Sequence, residues 1–245
     1  IGDCILCFPA MESLAADYTE VWVPSAVVPL VRFADKATGL ASTGIGLVGV
    51  GDIPMPAGFA QKLRGFDSIV SWYGANNDDF RRAVPGEFHC ALPPEDDPRH
   101  AVDFFAAQVG APSGLVPRIR GFEAKQRDEI VIHPFSGGAR KNWPLENFRE
   151  VARRLPLPVE WCAGEKFRFD DLGEVALWLA GARLYIGNDT GITHLAAAQG
   201  VQTIAIFTAS DPARWAPRGE NVMVLRNPSV AAVLDASARW AAALR

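Results

Sequence analysis

Four short polar stretches of this 245-residue chain hold the side chains with chemistry to offer, and three of them follow apolar runs that read as strands. The densest is Gly187-Asn188-Asp189-Thr190-Gly191, with Thr193 and His194 in the helical turn that follows. Two glycines and three short polar side chains, placed where a strand ends and a helix begins, aim backbone N–H groups at a phosphate or ribose. His194 stands one turn after Asp-Thr-Gly and reads as a neighbour of that ligand; a satisfied core histidine is the alternative.

The second stretch runs His133-Pro134-Phe135-Ser136-Gly137-Gly138-Ala139-Arg140-Lys141-Asn142-Trp143-Pro144. A glycine pair, a serine and two adjacent cations between a strand and a helix suit a diphosphate, because backbone donors and fixed positive charge converge there. It is not a Walker A loop, which needs Gly-Lys-Ser/Thr. The third stretch, Gly2-Asp3, precedes a helix expected to start near Leu6, so Asp3 is either a reacting carboxyl group or an N-cap. The fourth is Thr208-Ala209-Ser210-Asp211-Pro212 with Arg214 and Trp215 behind it, where Ser210 or Asp211 is expected to cap a helix opened by Pro212.

Other groupings lead elsewhere. Asp78-Asp79, Asp96-Asp97 and Asp170-Asp171 are adjacent pairs whose side chains point apart, the pattern of caps and solvated turns. The histidines lack short-range metal spacing, and no Gly-x-Ser-x-Gly elbow is present. Cys4 and Cys7 have C-x-x-C spacing inside an apolar run without a second pair, so buried thiols are expected.

The elements that carry these clusters alternate as in parallel α/β units. Strands are expected at Val21–Val23, Ile45–Val50, Ser68–Trp72, Glu129–His133, Val159–Cys162, Leu184–Ile186 and Thr203–Phe207. Helices are expected at Leu6–Ala16, Ala57–Leu63, Asp78–Ala83, Arg99–Val109, Leu145–Leu155, Leu172–Leu179 and Thr193–Gln199, with an amphipathic helix from Val230 to Leu244. The charged stretch from Gly121 to Asp128 reads as a domain boundary. The terse route from Gly164 to Asp171 and the opening at Ile1 without a methionine both read as places where residues are missing.

Composition narrows the function classes. With 49% apolar and 21% charged residues the chain is globular rather than disordered. A net charge of −4 without a basic stripe disfavours nucleic acid. Residues 1 to 120 carry 9 basic and 14 acidic side chains and residues 121 to 245 carry 15 and 14, so the first half is the acidic one. Four scattered cysteines and no membrane-length apolar run point to a reducing, cytoplasmic location.

In this order the clusters resemble glycosyltransferase family nine, the bacterial heptosyltransferases that extend the lipopolysaccharide inner core from ADP-heptose. The resemblance rests on Gly2-Asp3 with Pro9-Ala10, on HPFSGGARKNWPLENF at residues 133 to 148, and on GNDTGITHLAAAQG with the strand and Ser-Asp-Pro turn after it. It implies an α/β fold of GT-B architecture, two Rossmann-like doubly wound domains facing across a cleft. The domains it implies are an acceptor domain at 1–122, a nucleotide-sugar domain at 123–228, and a C-terminal helix at 229–245 crossing back onto the first. By position it makes Asp3 the general base and Lys141 the catalytic cation, and gives Ser136, Gly137, Lys141, Glu165, Asp189, Thr190, Gly191 and His194 to the nucleotide sugar. The segment around Glu165 is shorter than the family's glycine-rich connection, and Thr208-Ala209 stands where family members commonly have Gly-Pro.

The reaction so implied is an inverting, metal-independent transfer that uses a nucleotide sugar, ADP-linked, as substrate and needs no cofactor. Its partners are that donor and a glycan or lipid-linked glycan acceptor. Membrane contact is at most peripheral, at the inner face of the inner membrane. Two other readings stay open, a GT-B nucleotide-sugar epimerase or hydrolase, and a nucleotide-binding protein without catalysis.

Overall fold

Apolar runs of four or five residues bounded by turn signals become central strands when both faces are covered by helices, and this chain builds its main sheet from such runs. In the computed structural model, residues 1–14, 16–50, 55–163 and 171–242 are described. The chain divides into two compact units, one made of Ile1–Leu14 with Pro98–Arg245 and the other of Ala15–Asp97. The boundaries expected at residues 122 and 228 both fall inside the first unit.

Helix α1 (Gly2–Glu12) belongs to the first unit. The second unit holds two short parallel pairs, β1 (Glu20–Val23) with β2 (Lys36–Gly39), and β3 (Val70–Ser71) with β4 (Glu87–Phe88). Around them lie α2 (Leu40–Thr43), α3 (Ala57–Leu63) and α4 (Asp78–Ala83). Their apolar contacts join Ile45, Val48, Phe59, Leu63, Phe80 and Val84. The strand expected at Ile45–Val50 is not formed: Ile45–Leu47 is a 3-10 turn. Gly44 and Gly49 take φ of +79° and +72°, a left-handed conformation that interrupts an extended run. The buried pair, Ile45 and Val48, is spaced by three as in a helix, not by two.

The first unit continues with α5 (Ala101–Gln108) and then alternates β5 (Ile130–His133), α6 (Leu145–Arg154), β6 (Val159–Trp161), α7 (Leu172–Ala180), β7 (Leu184–Asn188), α8 (Gly191–Ala198), β8 (Thr203–Phe207), α9 (Pro212–Trp215), β9 (Val222–Arg226) and α10 (Val230–Ala242). Its five strands are parallel in the order β6-β5-β7-β8-β9. Every residue of β7 and β8 is buried, as strands covered on both faces must be. Ile132, Ile186, Ile204 and Ile206 meet Phe148 and Val151 of α6 and Val233 and Ala236 of α10 in one core. Thus α10 lies against α6 and β8.

Candidate active site at the switch point of the sheet

Numbered within their own sheet, the five strands run 2-1-3-4-5, so the winding direction reverses between β5 and β7. Ligands of open α/β sheets sit outside the carboxyl ends of the strands at such a reversal. The turns leaving β5 and β7 there are the two densest polar clusters of the sequence. A cavity of about 290 Å³ opens at that point, lined by Gly137, Gly138 and Lys141 after β5 and by Asp189, Thr190, Gly191 and His194 after β7. Gly2, Asp3 and Leu6 of α1 and Trp215 of α9 complete its wall.

Asn188 fixes the two turns to each other. Its side chain is fully buried, its Nδ2 donates to the Pro134 carbonyl at 2.6 Å, and its Oδ1 accepts from the Trp143 backbone N–H at 2.9 Å. Trp143 in turn donates through Nε1 to the Pro228 carbonyl at 3.0 Å and meets Phe148 edge-on. On β7, a Cβ at Gly187 would stand 2.5 Å from the Tyr185 hydroxyl. The missing side chain lets that ring lie over the strand and reach Thr193 Oγ1 at 3.0 Å. Strand end and helix start are therefore tied through side chains as well as backbone.

Charge in the cavity is organised around Asp189, which is buried. Lys141 Nζ donates to its Oδ2 at 2.7 Å, the Ser210 hydroxyl donates to the same oxygen, and His194 Nε2 lies 3.9 Å from Oδ1. An ammonium has three donors, so Lys141 keeps two for a second anion after pairing with Asp189. Burial lowers the pKa of His194 against the opposing pull of Asp189, while His100 and Lys141 reinforce burial. The imidazole is held neutral, with Nδ1 unpartnered among the described residues.

Two helices begin at the cavity. Thr190, the N-cap of α8, gives no side-chain hydrogen bond to the first N–H groups of that helix. An uncapped helix start presents donors and the positive end of its dipole to an anion. Helix α1 packs against α8 because both start with glycine. A Cβ at Gly191 would stand 2.7 Å from Ile1 Cβ and 3.0 Å from the Gly2 nitrogen, and one at Gly2 would stand 3.1 Å from His194 Cδ2. Asp3 lies in the first turn of α1 and is exposed toward the cavity. It is not the N-cap, since α1 starts at Gly2 rather than near Leu6 and Ile1 holds the capping position.

Of the residues expected from the sequence, Asp3, Gly137, Lys141, Asp189, Thr190, Gly191 and His194 all line one cavity. Ser136 does not: its hydroxyl donates within its own turn, toward the Gly138 carbonyl and Asn142 Oδ1, both at 2.9 Å. Glu165 lies outside the described residues. Gly138 of the expected glycine pair lines the cavity too, while Leu6 and Trp215 were not among the expected site residues. Trp215 carried a legible signal, a large aromatic side chain one turn into a helix capped by Asp211, whose Oδ1 accepts from Ala213 N at 3.0 Å. Among the described residues no three or more His, Cys, Asp or Glu side chains are grouped to hold a metal ion.

Comparison with known proteins points the same way. The family model for glycosyltransferase family 9 (heptosyltransferase) matches residues 170–237, which include the Asp-Thr-Gly turn. Lipopolysaccharide heptosyltransferase 1 of Escherichia coli (strain K12) is 33% identical over 109 residues, covering 36% of this chain and 34% of that protein. The protein of the same name from Salmonella typhimurium is 33% identical over 111 residues, with coverage of 36% and 34%. The match therefore spans about a third of the length of these curated relatives. Among solved structures, E. coli ADP-heptose LPS heptosyltransferase II is similar with a TM-score of 0.73 at 15% identity, covering 98% of this chain and 95% of that one. E. coli heptosyltransferase WaaC with ADP gives 0.69 at 16%, covering 98% and 96%. At such identities the likeness establishes the fold, which is the expected GT-B class with Rossmann-like parallel sheets. The family resemblance read from the sequence is thus matched by the family model over residues 170–237 and by the curated relatives over about a third of the chain.

Proposed function

We propose that this chain is an inverting glycosyltransferase that moves a sugar, heptose from ADP-heptose, onto a lipopolysaccharide-core or related cell-surface glycan. One observation carries the reading: a carboxyl group, a cation and an uncapped helix start converge on one cavity at the switch point of a parallel sheet. The names of the similar proteins supply the donor, since one is an ADP-heptose heptosyltransferase and another was solved with ADP.

In this reading the diphosphate rests against Gly137, Gly138 and the start of α8. The cavity, about 290 Å³, is at the lower end of small-molecule sites, enough for the diphosphate and the reacting end of the sugar. Asp3 accepts the proton of an acceptor hydroxyl as its oxygen bonds to the anomeric carbon from the face opposite the nucleotide. The bond from that carbon to the phosphate oxygen breaks, and its electron pair leaves with the diphosphate. General-base help of this kind supplies about 10² to 10⁴-fold. The two free donors of Lys141 and the N–H groups at Gly191 stabilise the developing charge without a metal. Asp189 holds the lysine in place, and neutral His194 avoids adding a second cation that would bind ground state and transition state alike.

No helix among the described residues is long and apolar enough to cross a membrane. We place the enzyme in the cytoplasm, meeting a lipid-linked acceptor peripherally at the inner face of the inner membrane, with no nucleic acid partner. The deciding experiment is single-turnover transfer from ADP-heptose to a lipopolysaccharide-core acceptor by the unaltered chain and by Asp3→Asn. The variant should bind ADP normally and turn over at least about a hundredfold more slowly. Normal turnover removes Asp3 as the base, and consumption of donor without acceptor makes the enzyme a hydrolase or epimerase.

A further inference from the structure

Lys141 ends a single 3-10 turn, Ala139–Lys141, that has no side-chain cap. One such turn is held by little of its own: Lys141 N reaches the Gly138 carbonyl at 2.9 Å and Asn142 N the Ala139 carbonyl at 3.1 Å. Two ties from the segment after β8 add to this. Thr208 Oγ1 donates to the Arg140 carbonyl at 2.8 Å, bridging 68 residues of sequence. Two residues later Ser210 donates to Asp189 Oδ2, the oxygen that also receives Lys141 Nζ. One tie holds the backbone beside the lysine, and the other holds the partner of its ammonium.

Neither hydroxyl serves α9, because Asp211 supplies the cap of that helix. Both reach out of their own loop to the same cation from opposite ends. A lysine stem has four rotatable carbons, and its charge acts at a fixed place only when backbone and ammonium are both restrained. Restraint of that kind raises the effective concentration of the charge at the bound anion.

We propose that Thr208, acting with Ser210, is a positioning residue that sets Lys141 over the diphosphate of the donor. The inference rests on the proposed nucleotide-sugar reading of the cavity. It predicts that the two hydroxyls matter only while the lysine is present.

The test is calorimetric titration with ADP of the unaltered chain, Thr208→Val, Thr208→Ser, Ser210→Ala, Lys141→Ala and the doubles Thr208→Val/Lys141→Ala and Ser210→Ala/Lys141→Ala. Removing either hydroxyl should weaken binding by about fivefold, the effect of one hydrogen bond, with Thr208→Ser restoring it to within about twofold. In the Lys141→Ala background either change should add less than about 1.5-fold, since coupled residues are not additive. Unchanged affinity in Thr208→Val, or the same fivefold loss with and without Lys141, overturns the positioning role. Failure of the unaltered chain to bind ADP overturns the nucleotide-sugar reading and this inference with it.

Discussion

Each unit contains a buried polar side chain that gathers several partners, and the two are chemically unlike. In the first unit it is Asn188, a neutral amide satisfied by backbone groups that cannot wander. In the second it is Glu20, 4% exposed, whose Oε1 accepts from Trp22 Nε1 and Lys62 Nζ at 2.7 Å and from Thr38 at 3.0 Å, with Lys36 at 3.5 Å. Its lysine partners are 35% and 51% exposed, so the hub leans on flexible stems reaching in from solvent. Amide and backbone give a joint indifferent to acid and salt; carboxylate and lysine give one that both can loosen. The unit that holds the candidate site has the stiffer joint, as a site of fixed geometry requires.

The largest test of this contrast is Asn188→Ala. It leaves a buried N–H at Trp143 and a buried carbonyl at Pro134 without partners, a loss of about 2 to 4 kcal/mol. Amide exchange should accelerate across β5, β7 and α8 while the second unit keeps its protection. Equal loosening of both units would remove the distinction. Glu20→Gln keeps the shape and discards the charge, and should cost less, about 1 to 2 kcal/mol, because its lysines can turn to water. That loss should show as faster exchange in β1 and β2 and shrink in molar salt, whereas the Asn188 effect should not.

Acid separates the units by pH window. Burial lowers the pKa of His100, His133 and His194, all in the first unit, below the usual 6.5. The unfolded chain then takes up protons first, so their contribution is full above about pH 6.5 and falls away toward the lowered values. Glu20 is opposed by burial but held by its hydrogen bonds and by Lys62, and its pKa drops to about 2. Its contribution is full above pH 4.5 and is lost from there down to about 2. Moving from pH 7 to 5 should thus lower protection, measured against the intrinsic exchange rate at each pH, in the first unit and leave that of the second unmoved; the reverse would refute the assignment.

A smaller effect is expected at the pair Asp103 and Arg218 in the first unit. Arg218 donates to both carboxylate oxygens and is the main reason that the Asp103 pKa falls to about 2, with the Gly114 N–H assisting. Both side chains are about a fifth exposed, so screening trims the gain. Asp103→Asn should cost about 1 kcal/mol at pH 7 in urea unfolding. The difference from the unaltered chain should vanish as pH falls from 3.8 toward 2, where the native aspartate also becomes neutral.

The same contrast marks how far the sequence could be read. Strands β5, β7 and β8 are unbroken apolar runs with turn residues at their ends, and such runs have little else to do than sit inside a sheet. Helices α6 and α7 declare themselves by period and by the Asp171 cap, whose Oδ1 accepts from Glu174 N at 2.9 Å. In the second unit β2 reads Lys-Ala-Thr-Gly and β4 has two residues, too little pattern to distinguish from loop. Ile45–Val50 has strand composition but a glycine at every second or third place, and backbone freedom at Gly44 and Gly49 overrode side-chain preference. β9 lies outside the expected strands, although Val222, Val224 and Arg226 alternate with Met223 and Leu225. The site followed the same division. Turns with their own glycines and polar residues were legible, while the Lys141 and Asp189 pair, 48 residues apart, exists only once β5 and β7 lie side by side.

The touching starts of α1 and α8 set a rule for anyone who would re-engineer this cavity. A methyl group at position 191 would collide with Ile1 Cβ and the Gly2 nitrogen, so one helix start must yield, whereas one at position 2 would crowd the His194 ring at 3.1 Å. Libraries aimed at new ligands should leave both as glycine and seek diversity at Leu6 and Trp215, whose side chains help build the wall.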